Sequence, residues 1–289
     1  MTLAELARDA ARTLTGAGHA QGDSQRDATL LARHLLGWDA ARWITGAREP
    51  APESFPAAYA ALIARRARHE PVSYIVGERE FYGRMFAVTP ATLIPRPETE
   101  LIVDEAKRWH ADRAQARSPQ PQADLSVADI GTGSGCLAIT LALELPHAYV
   151  IATEMSSEAL AVARGNAARL GAADRIMFRH ASLLGGATGF DLIIANLPYV
   201  GEADRASLPA EVRDYEPAAA LFAGPDGLDV LRLFIPDAVR ALNPGGALVL
   251  EVGLGQAGPV SSLVVAASPT LSAHVRKDLQ GIERVVTVE

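Results

Sequence analysis

A short apolar segment that ends in polar and aromatic residues is the first candidate for chemistry in this sequence. In FDLIIANLPYV, residues 190–200, an aliphatic run stops at Asn196, and Leu197, Pro198 and Tyr199 follow. The run has the length and apolar character of a buried strand in a parallel sheet. A simple turn needs only the asparagine and the proline. The strand end is therefore either a plain turn or a site where a carboxamide bonds a ligand.

A glycine-rich turn between a predicted strand and a predicted helix indicates a nucleotide site. It lies in VADIGTGSGCLAITLALEL, residues 127–145, where glycines permit close approach of a ligand and the helix N-terminus offers free N–H groups. Cys136 stands where the dinucleotide pattern G-x-G-x-x-G requires glycine, and the lysine of a P-loop is absent. The spacing D-x-G-x-G-x-G, which begins at Asp129, instead resembles motif I of the Rossmann-like S-adenosyl-L-methionine-dependent methyltransferases. This resemblance implies that S-adenosyl-L-methionine is the cofactor and that it contacts Gly131, Thr132, Gly133, Ser134 and Gly135.

Two further loops belong to the predicted cofactor site. Glu154 ends the second strand of this region, and a carboxylate at that place accepts hydrogen bonds from both ribose hydroxyls. The loop HASLLGG, residues 180–186, follows the third strand, where methyltransferases of this fold flank the adenine. There Ser182 offers one hydrogen bond and Leu183 an apolar face. A plain loop explains this last segment equally well.

The residues Asn196 to Tyr199 resemble the motif [DNS]-x-P-[YF] of methyltransferases that act on planar nitrogens. Such a nitrogen is a poor nucleophile because its lone pair is delocalised into a carbonyl or a ring. Oδ1 of Asn196 and the carbonyl of Leu197 can accept its two N–H groups, which favours a pyramidal nitrogen and directs the lone pair at the methyl group. Pro198 restricts the turn, and the ring of Tyr199 can lie against the planar group. We predict catalytic roles for all four residues.

Four segments together resemble the protein-(glutamine-N5) methyltransferase family that modifies class I peptide chain release factors, the HemK/PrmC family. They are TLIPRPETELIVDEA (92–106), FDLIIANLPYV (190–200), LEVGLGQ (250–256) and VRKDLQGIERVV (275–286). The resemblance extends over nearly the whole chain and implies methylation of the glutamine in the Gly-Gly-Gln loop of the release factor. It also implies that Asn196 contacts the cofactor. Arg96 and Glu98 would shape a lid over the cofactor, or only cap the helix that begins at Pro97.

Three positions depart from the family pattern and keep other functions open. The family usually has Pro at the position of Leu197 and Asp at the positions of Glu154 and Ser182. Asn-Leu-Pro-Tyr is typical of rRNA adenine dimethyltransferases, so adenine-N6 methylation of rRNA or DNA is the second hypothesis. A non-catalytic cofactor-binding protein is the third. The helical N-terminal region, the PRPETE segment and the acidic pI of about 5.6 favour the first hypothesis.

Composition limits the partners that we expect. The net charge of −7 disfavours the basic face of a nucleic-acid-binding protein. No apolar run approaches the roughly 20 residues of a membrane span, and the acid-containing N-terminal helix is unlike a signal peptide. Cys136 is the single cysteine, and no residue cluster has the spacing of metal ligands. We therefore expect a cytoplasmic monomer with no metal, no membrane contact and no nucleic acid as its main partner.

Hydrophobic periodicity predicts the elements that position these residues. Residues 1–78 form a helical bundle that docks the substrate, with Asp23 or Ser24 as the cap of its second helix. Residues 79–96 form a β-hairpin linker. Residues 97–289, with a Pro- and Gln-rich loop at 116–124, alternate strands and helices. This pattern predicts an α/β fold, the Rossmann-like class I methyltransferase fold, with a mostly parallel seven-stranded sheet and an antiparallel edge hairpin.

Overall fold

The computed structural model describes residues 1–116 and 124–289. The chain forms two compact units, one of Met1–Glu78 with Pro209–Tyr215 and one of Arg79–Leu208 with Glu216–Glu289. No local pattern in the sequence indicated that Pro209–Tyr215 belongs with the N-terminal residues. The loop predicted at 116–124 lies, apart from its two end residues, outside the described residues.

Five helices build the N-terminal part of the first unit, in agreement with the apolar periodicity of residues 1–78. They are α1 (Leu3–Gly16), α2 (Gln21–Leu36), α3 (Ala40–Gly46), α4 (Phe55–Ala67) and α5 (Val72–Val76). Their apolar faces share one buried core that includes Leu14, Leu31, Phe55 and Tyr59. Thr2 and Glu5 form a capping box at the start of α1, which satisfies free N–H groups of its first turn.

The predicted cap of the second helix is wrong. The N-cap of α2 is Ala20, which makes no side-chain hydrogen bond, and Asp23 and Ser24 lie inside the helix. The polar first turn has no apolar period, so the sequence pattern reveals only the later turns of this helix. The acid of Asp23 still interacts favourably with the positive end of the helix dipole.

Arg66 is a buried cation in the first unit. Its Nε donates to Oδ2 of Asp27 at 2.7 Å, and both side chains are only 5% exposed. Its Nη1 lies 2.7 Å from Oε2 of Glu211, on the segment Pro209–Tyr215. A charge removed from water is costly unless it is paired, so these contacts fix the arrangement of α2, α4 and this segment rather than adding much net stability.

The second unit contains a seven-stranded sheet, as predicted. Its strands lie in the order β5-β4-β3-β6-β7-β9-β8. Strands β3 to β7 are parallel, β9 runs antiparallel to β7, and β8 runs antiparallel to β9. The bounds are β3 (Leu125–Ile130), β4 (Ala148–Glu154), β5 (Ile176–His180), β6 (Phe190–Ala195), β7 (Leu242–Glu251), β8 (Ala273–Lys277) and β9 (Glu283–Val288).

Helices cover both faces of this sheet. Those of the second unit are α6 (Glu100–Ala116), α7 (Cys136–Glu144), α8 (Ser157–Leu170), α10 (Asp229–Ala241) and α11 (Ala257–Ala267), whereas α9 (Ala210–Tyr215) lies in the first unit. Alternate strand residues point to different cores. Leu192 and Ile194 of β6 pack in the core with α6 and α7, and Ile193 and Ala195 pack in the core with α10 and α11. This two-residue period fixes the strand register.

The hairpin before the sheet is shorter than predicted. It consists of β1 (Glu78–Phe81) and β2 (Arg84–Ala87), joined by Tyr82 and Gly83, both with positive φ. Residues 88–96 contain no strand, because Pro90 and Pro95 cannot donate to a ladder. The helix expected from Pro97 begins with a 3₁₀ turn, Pro97–Thr99, before α6.

The strand order reverses beside β3, and this point determines where the site forms. Ile130, at the end of β3, pairs with Thr153 of β4 on one side and with Ala195 of β6 on the other. The loops after these strands therefore emerge next to one another at the carboxyl edge. In open α/β sheets, ligands bind in the crevice at such a switch point.

Loss of the buried partner of Arg66 should destabilise the first unit. We expect Asp27→Ala to lower the free energy of unfolding by about 3 kcal/mol, because a buried guanidinium loses its main counter-charge. Urea unfolding followed by circular dichroism measures the change. The matched control is Asp23→Ala on the same helix, where the ion pair with Arg26 is exposed and the change should stay within about 0.5 kcal/mol. Equal losses in the two variants would contradict this explanation.

Candidate active site

A cavity of about 510 Å³ lies at the carboxyl edge of the sheet, within the second unit. Most of the predicted site residues line it. They are Gly131, Thr132, Gly133, Ser134, Glu154, Ser182, Leu183, Asn196, Leu197 and Pro198. Of the predicted residues, Gly135 and Tyr199 are not part of the lining that the described residues form.

The glycine loop after β3 is held by strand β4 and by helix packing. The N–H groups of Gly131 and Thr132 donate to the carbonyl of Thr153 at 3.0 and 2.9 Å. Gly135 has a φ of 81°, and a Cβ there would lie 2.9 Å from Cδ1 of Ile139 and 3.2 Å from Cβ of Ala163. Gly135 therefore allows α7 and α8 to pack closely behind the loop, and it does not line the cavity.

Asp129 connects the glycine loop to the first turn of α7. Its Oδ2 accepts from Oγ1 of Thr132 at 2.6 Å and from the N–H of Ala138 at 3.0 Å. Burial raises the pKa of Asp129 to about 7, against the opposing effect of these two hydrogen bonds. This carboxyl group is therefore a structural support beneath the loop and does not face the cavity.

Glu154 is fixed at the cavity wall by two backbone donors. Its Oε2 accepts from the N–H of Gly133 at 3.0 Å, and its Oε1 accepts from the N–H of Ser156 at 2.9 Å. Each carboxylate oxygen has a second lone pair available. On the neighbouring loop, Leu183 has a φ of 47° and lines the cavity beside Ser182.

The side chain of Asn196 is the first member of a hydrogen-bonded chain. Its Nδ2 donates to Oγ1 of Thr99 at 3.1 Å, and this hydroxyl donates to Oε2 of Glu251 at 2.6 Å. The hydroxyl of Tyr199 donates to Oε1 of Glu251 at 3.1 Å. Burial raises the pKa of Glu251, while its hydrogen bonds and the charge of Arg284 act in the opposite direction. Burial also raises the pKa of Tyr199, so its hydroxyl keeps the proton that it donates.

The backbone of the Asn196 turn is held from two sides. The buried side chain of Leu197 packs on the glycine loop, since its Cδ2 lies 3.1 Å from where a Cβ on Gly131 would stand. Nε2 of Gln256 donates to the carbonyl of Tyr199 at 2.9 Å. A Cβ on Gly227 would lie 2.1 Å from that carbonyl oxygen, so only glycine fits behind the turn.

Arg96 and Glu98, the two predicted lid residues, have different surroundings. Arg96 lines the cavity and its guanidinium pairs with the buried Glu216. Glu216 also accepts from the N–H of Ile94 at 3.1 Å, which ties the segment before α6 to the segment after α9. Glu98 does not line the cavity, although its charge acts on Glu251 and raises the pKa of that carboxyl group.

Sequence reasoning did not assign a role to four residues that support this site. They are Thr99, Glu216, Glu251 and Gln256. Thr99 lies in PRPETE, and Glu251 and Gln256 lie in LEVGLGQ. The family resemblance of these two segments could therefore have pointed to the three residues. Nothing local to Glu216 indicated its pairing with Arg96.

The cavity wall fits a nucleoside cofactor. Ile130, Leu137 and Leu183 supply apolar surface, and Glu154 supplies fixed acceptors for hydroxyl groups. A Cβ on Gly133 would meet nothing closer than 3.9 Å, so the loop borders open space there. Because glycine has no side chain, a ligand in this space can approach the backbone of Gly133 closely.

The part of the chain that the structure describes contains neither a metal-binding cluster nor a membrane-spanning helix. Within residues 1–116 and 124–289, no group of three or more His, Cys, Asp or Glu residues could hold a metal ion. Among the same residues, no helix combines the length and the hydrophobicity that crossing a membrane requires.

Comparison with protein families and curated relatives gives a consistent result. The model of the PrmC N-terminal domain matches residues 5–77, and that of the Methyltransferase small domain matches residues 114–211. The release factor glutamine methyltransferase of Geobacter sulfurreducens is 47% identical over 232 residues, which cover 80% of this chain and 77% of the relative. That of Cereibacter sphaeroides is 41% identical over 288 residues, covering 99% and 98%.

Solved structures share the fold at low sequence identity. The hMettl16 catalytic domain in complex with MAT2A 3′UTR hairpin 6 is 16% identical, with a TM-score of 0.57 over 78% of this chain and 81% of that chain. Human methyltransferase 10 domain containing protein is 17% identical, with a TM-score of 0.51 over 72% and 89%. These likenesses confirm the predicted class I methyltransferase fold.

Ionisation of Asp129 should make stability depend on pH. Its pKa in the folded protein is about 7, above the ordinary value of 3.8, so the folded state binds this proton more tightly than the unfolded state. The contribution of Asp129 to the free energy of unfolding therefore falls as pH rises from about 4 to about 7, and is constant above. Asp129→Asn cannot ionise, so its stability relative to wild type should increase across that window.

Urea unfolding at a series of pH values tests this expectation. The exposed acid Asp174 provides the control, because Asp174→Asn should run parallel to wild type throughout. A constant difference between Asp129→Asn and wild type at all pH values would show that burial does not perturb this carboxyl group.

Proposed function

This chain belongs to the release factor glutamine methyltransferase family, and we propose how its site performs that reaction. The methyl group of S-adenosyl-L-methionine is transferred to the side-chain amide nitrogen, N5, of the glutamine in the Gly-Gly-Gln motif of class I peptide chain release factors. The observation that carries this proposal is the Asn196 amide in the cavity wall. Its Nδ2 donates a hydrogen bond to Oγ1 of Thr99, so its Oδ1 remains available to a substrate.

The glycine loop and its neighbours would hold the cofactor. Glu154 would accept from the two ribose hydroxyls, which are the kind of vicinal donors that a fixed carboxylate binds. Gly131 to Ser134 would bring backbone close to the ligand, and Ser182 and Leu183 would flank the adenine. Gly135 would contribute by shaping the loop from behind. When bound, S-adenosyl-L-methionine supplies an electrophilic methyl group on its sulfonium sulfur.

The Asn196 turn would hold the nitrogen of the substrate. Oδ1 of Asn196 and the backbone carbonyl of Leu197 accept its two N–H groups, so the nitrogen is oriented and its lone pair is freed from the amide plane. Leucine performs this task as proline would, because position 197 contributes its carbonyl. Pro198 restricts the turn. The alkylated nitrogen is acidic enough to lose its proton to water, so no strong base is needed. Contact of the Tyr199 ring with the substrate stays a prediction.

The first unit would bind the body of the release factor. We propose that residues 1–78 dock the protein substrate, because the described residues that line the cavity all belong to the second unit, which leaves the first unit free for this task. We propose that one copy of the chain is sufficient, since these lining residues come from a single chain. As the substrate belongs to translation, the enzyme would act in the cytoplasm.

Adenine-N6 methylation of rRNA or DNA is the second candidate. It rests on Leu197, since Asn-Leu-Pro-Tyr is typical of rRNA adenine dimethyltransferases. The net charge of −7 argues against a nucleic-acid substrate, because the phosphate backbone requires a basic surface.

Removal of the Asn196 amide should abolish most methyl transfer. With radiolabelled cofactor and purified release factor, we expect wild type to label the Gly-Gly-Gln glutamine and Asn196→Ala to reduce kcat by about a hundredfold to a thousandfold. Asn243→Ala is the matched control, because Asn243 lies at the start of β7, away from the cavity. Mass spectrometry locates the methyl group. Labelling of rRNA or DNA alone would overturn the proposed substrate, and full activity of Asn196→Ala would overturn the mechanism.

Neutralisation of Glu154 should weaken cofactor binding. Glu154→Gln removes the charge and one acceptor oxygen, so the dissociation constant for S-adenosyl-L-methionine should rise by about tenfold to a hundredfold. Isothermal titration calorimetry measures this change, and the unfolding midpoint shows whether the loop is intact. The exposed Asp174 again supplies a control, since Asp174→Asn should bind the cofactor as wild type does. Unchanged affinity in Glu154→Gln would exclude the ribose contact.

A further inference from the structure

Behind Asn196 lie two buried side chains, Thr99 and Glu251, to which the reaction described above gives no role. We call the series Asn196, Thr99, Glu251 and Tyr199 the orienting chain. Thr99 is 2% exposed and Glu251 is 3% exposed. The bonds within it join residues far apart in sequence, since Thr99 lies in the 3₁₀ turn before α6 and Glu251 ends β7. A buried carboxylate is costly, so its position beside the site calls for a functional reason.

The number of hydroxyl and amide protons in the orienting chain fixes the direction of its hydrogen bonds. A threonine hydroxyl has one proton, and Thr99 gives it to Oε2 of Glu251 at 2.6 Å. Oγ1 of Thr99 can then only accept a hydrogen bond from Asn196. The Asn196 amide has its donors on Nδ2 alone, so this atom must face Thr99, as observed at 3.1 Å. The hydrogen bond from Thr99 to Glu251 thus decides the direction of the bond between Asn196 and Thr99.

Glu251 is suited to be the terminal acceptor. Each of its oxygens accepts one hydrogen bond, Oε2 from the hydroxyl of Thr99 at 2.6 Å and Oε1 from that of Tyr199 at 3.1 Å. A carboxylate is suited to this arrangement, because both of its oxygens are acceptors. Burial raises the pKa of Glu251, and the charge of Glu98 adds to this effect, whereas the hydrogen bonds from Thr99 and Tyr199 and the charge of Arg284 favour the ionised form.

We propose that Thr99 and Glu251 are positioning residues that hold the Asn196 amide in one of its two orientations, with Nδ2 turned to Thr99 and Oδ1 presented to the N–H of the methyl-accepting amide. This inference rests on the proposed function. A flipped Asn196 would present a donor to a donor, and the substrate nitrogen would lose its acceptor. The orienting chain prevents that flip, because Thr99 has no proton left to give to Oδ1.

Three variants and one control separate this role from a structural one. Thr99→Val removes the hydroxyl at nearly constant volume, and Thr99→Ser keeps it. Glu251→Gln can donate to Thr99, which frees the Thr99 proton and permits the flipped amide. The control is Thr140→Val, because Thr140 is also fully buried and its hydroxyl has no hydrogen-bond partner among the described residues.

Steady-state methylation of the release factor, with the affinity for S-adenosylhomocysteine measured by calorimetry, provides the readouts. We expect Thr99→Val and Glu251→Gln to lower kcat by about tenfold to a hundredfold. The KM for release factor and the affinity for S-adenosylhomocysteine should stay within about twofold, since the lost interaction acts on the reacting nitrogen. Thr99→Ser and Thr140→Val should resemble wild type. The double variant Thr99→Val/Glu251→Gln should be no slower than Thr99→Val, because both changes break the same chain.

The outcomes distinguish this inference from the proposed function. If wild type methylates the release factor but Thr99→Val and Glu251→Gln keep its kcat, the positioning role is refuted and the proposed function stands. Additive losses in the double variant, or a parallel loss of S-adenosylhomocysteine affinity, would show a general structural role and also refute it. If wild type transfers no methyl group to the release factor, the proposed function fails and this inference fails with it.

Discussion

The parallel register of β3, β4 and β6 is the constraint on which the whole site depends. Because Ile130 pairs with both Thr153 and Ala195, the residues that follow the three strands leave the sheet side by side. A shift of one residue in any strand would exchange its two faces between the two cores and separate these loops. The site is therefore as well ordered as the sheet, and its precision is a consequence of core packing rather than of the loops themselves.

Two buried acids stabilise the site geometry at a cost to the folding free energy. Asp129 stands near the end of β3 and Glu251 at the end of β7, and burial raises the pKa of both. Each accepts two hydrogen bonds, from Thr132 and Ala138 in one case and from Thr99 and Tyr199 in the other. A buried carboxyl group whose hydrogen bonds are satisfied makes a rigid junction, because its partners cannot move without leaving a buried polar group unpaired. One junction supports the glycine loop and the other the amide that would bind the substrate.

Two of the three departures from the family pattern, Leu197 and Glu154, are compatible with this design. Leu197 fills space against the glycine loop with its side chain, and the reaction would require only its backbone carbonyl. Glu154 is one methylene longer than aspartate and reaches the N–H groups of Gly133 and Ser156, so it orders the loop in addition to facing the cavity. Family membership, established by relatives that match most of the chain, thus coexists with Leu197, where the backbone carbonyl is kept, and with Glu154, where the carboxylate is kept. At position 182 the carboxylate is lost, and the hydroxyl of Ser182 keeps only a hydrogen-bonding group.

The sequence by itself determined the succession of strands and helices, the glycine turn, and the placement of Glu154 and Asn196 at strand ends, since hydrophobic period and turn residues act over a few positions. It could not show where α2 begins, that Pro209–Tyr215 belongs to the first unit, or that Gly135 and Tyr199 stand outside the cavity wall. It also could not show that Arg96 pairs with Glu216 or that Thr99 donates to Glu251, a bond that spans 152 positions. Only the tertiary structure decided these contacts, because two side chains that meet through the packing of distant elements leave no periodic or local trace in the chain.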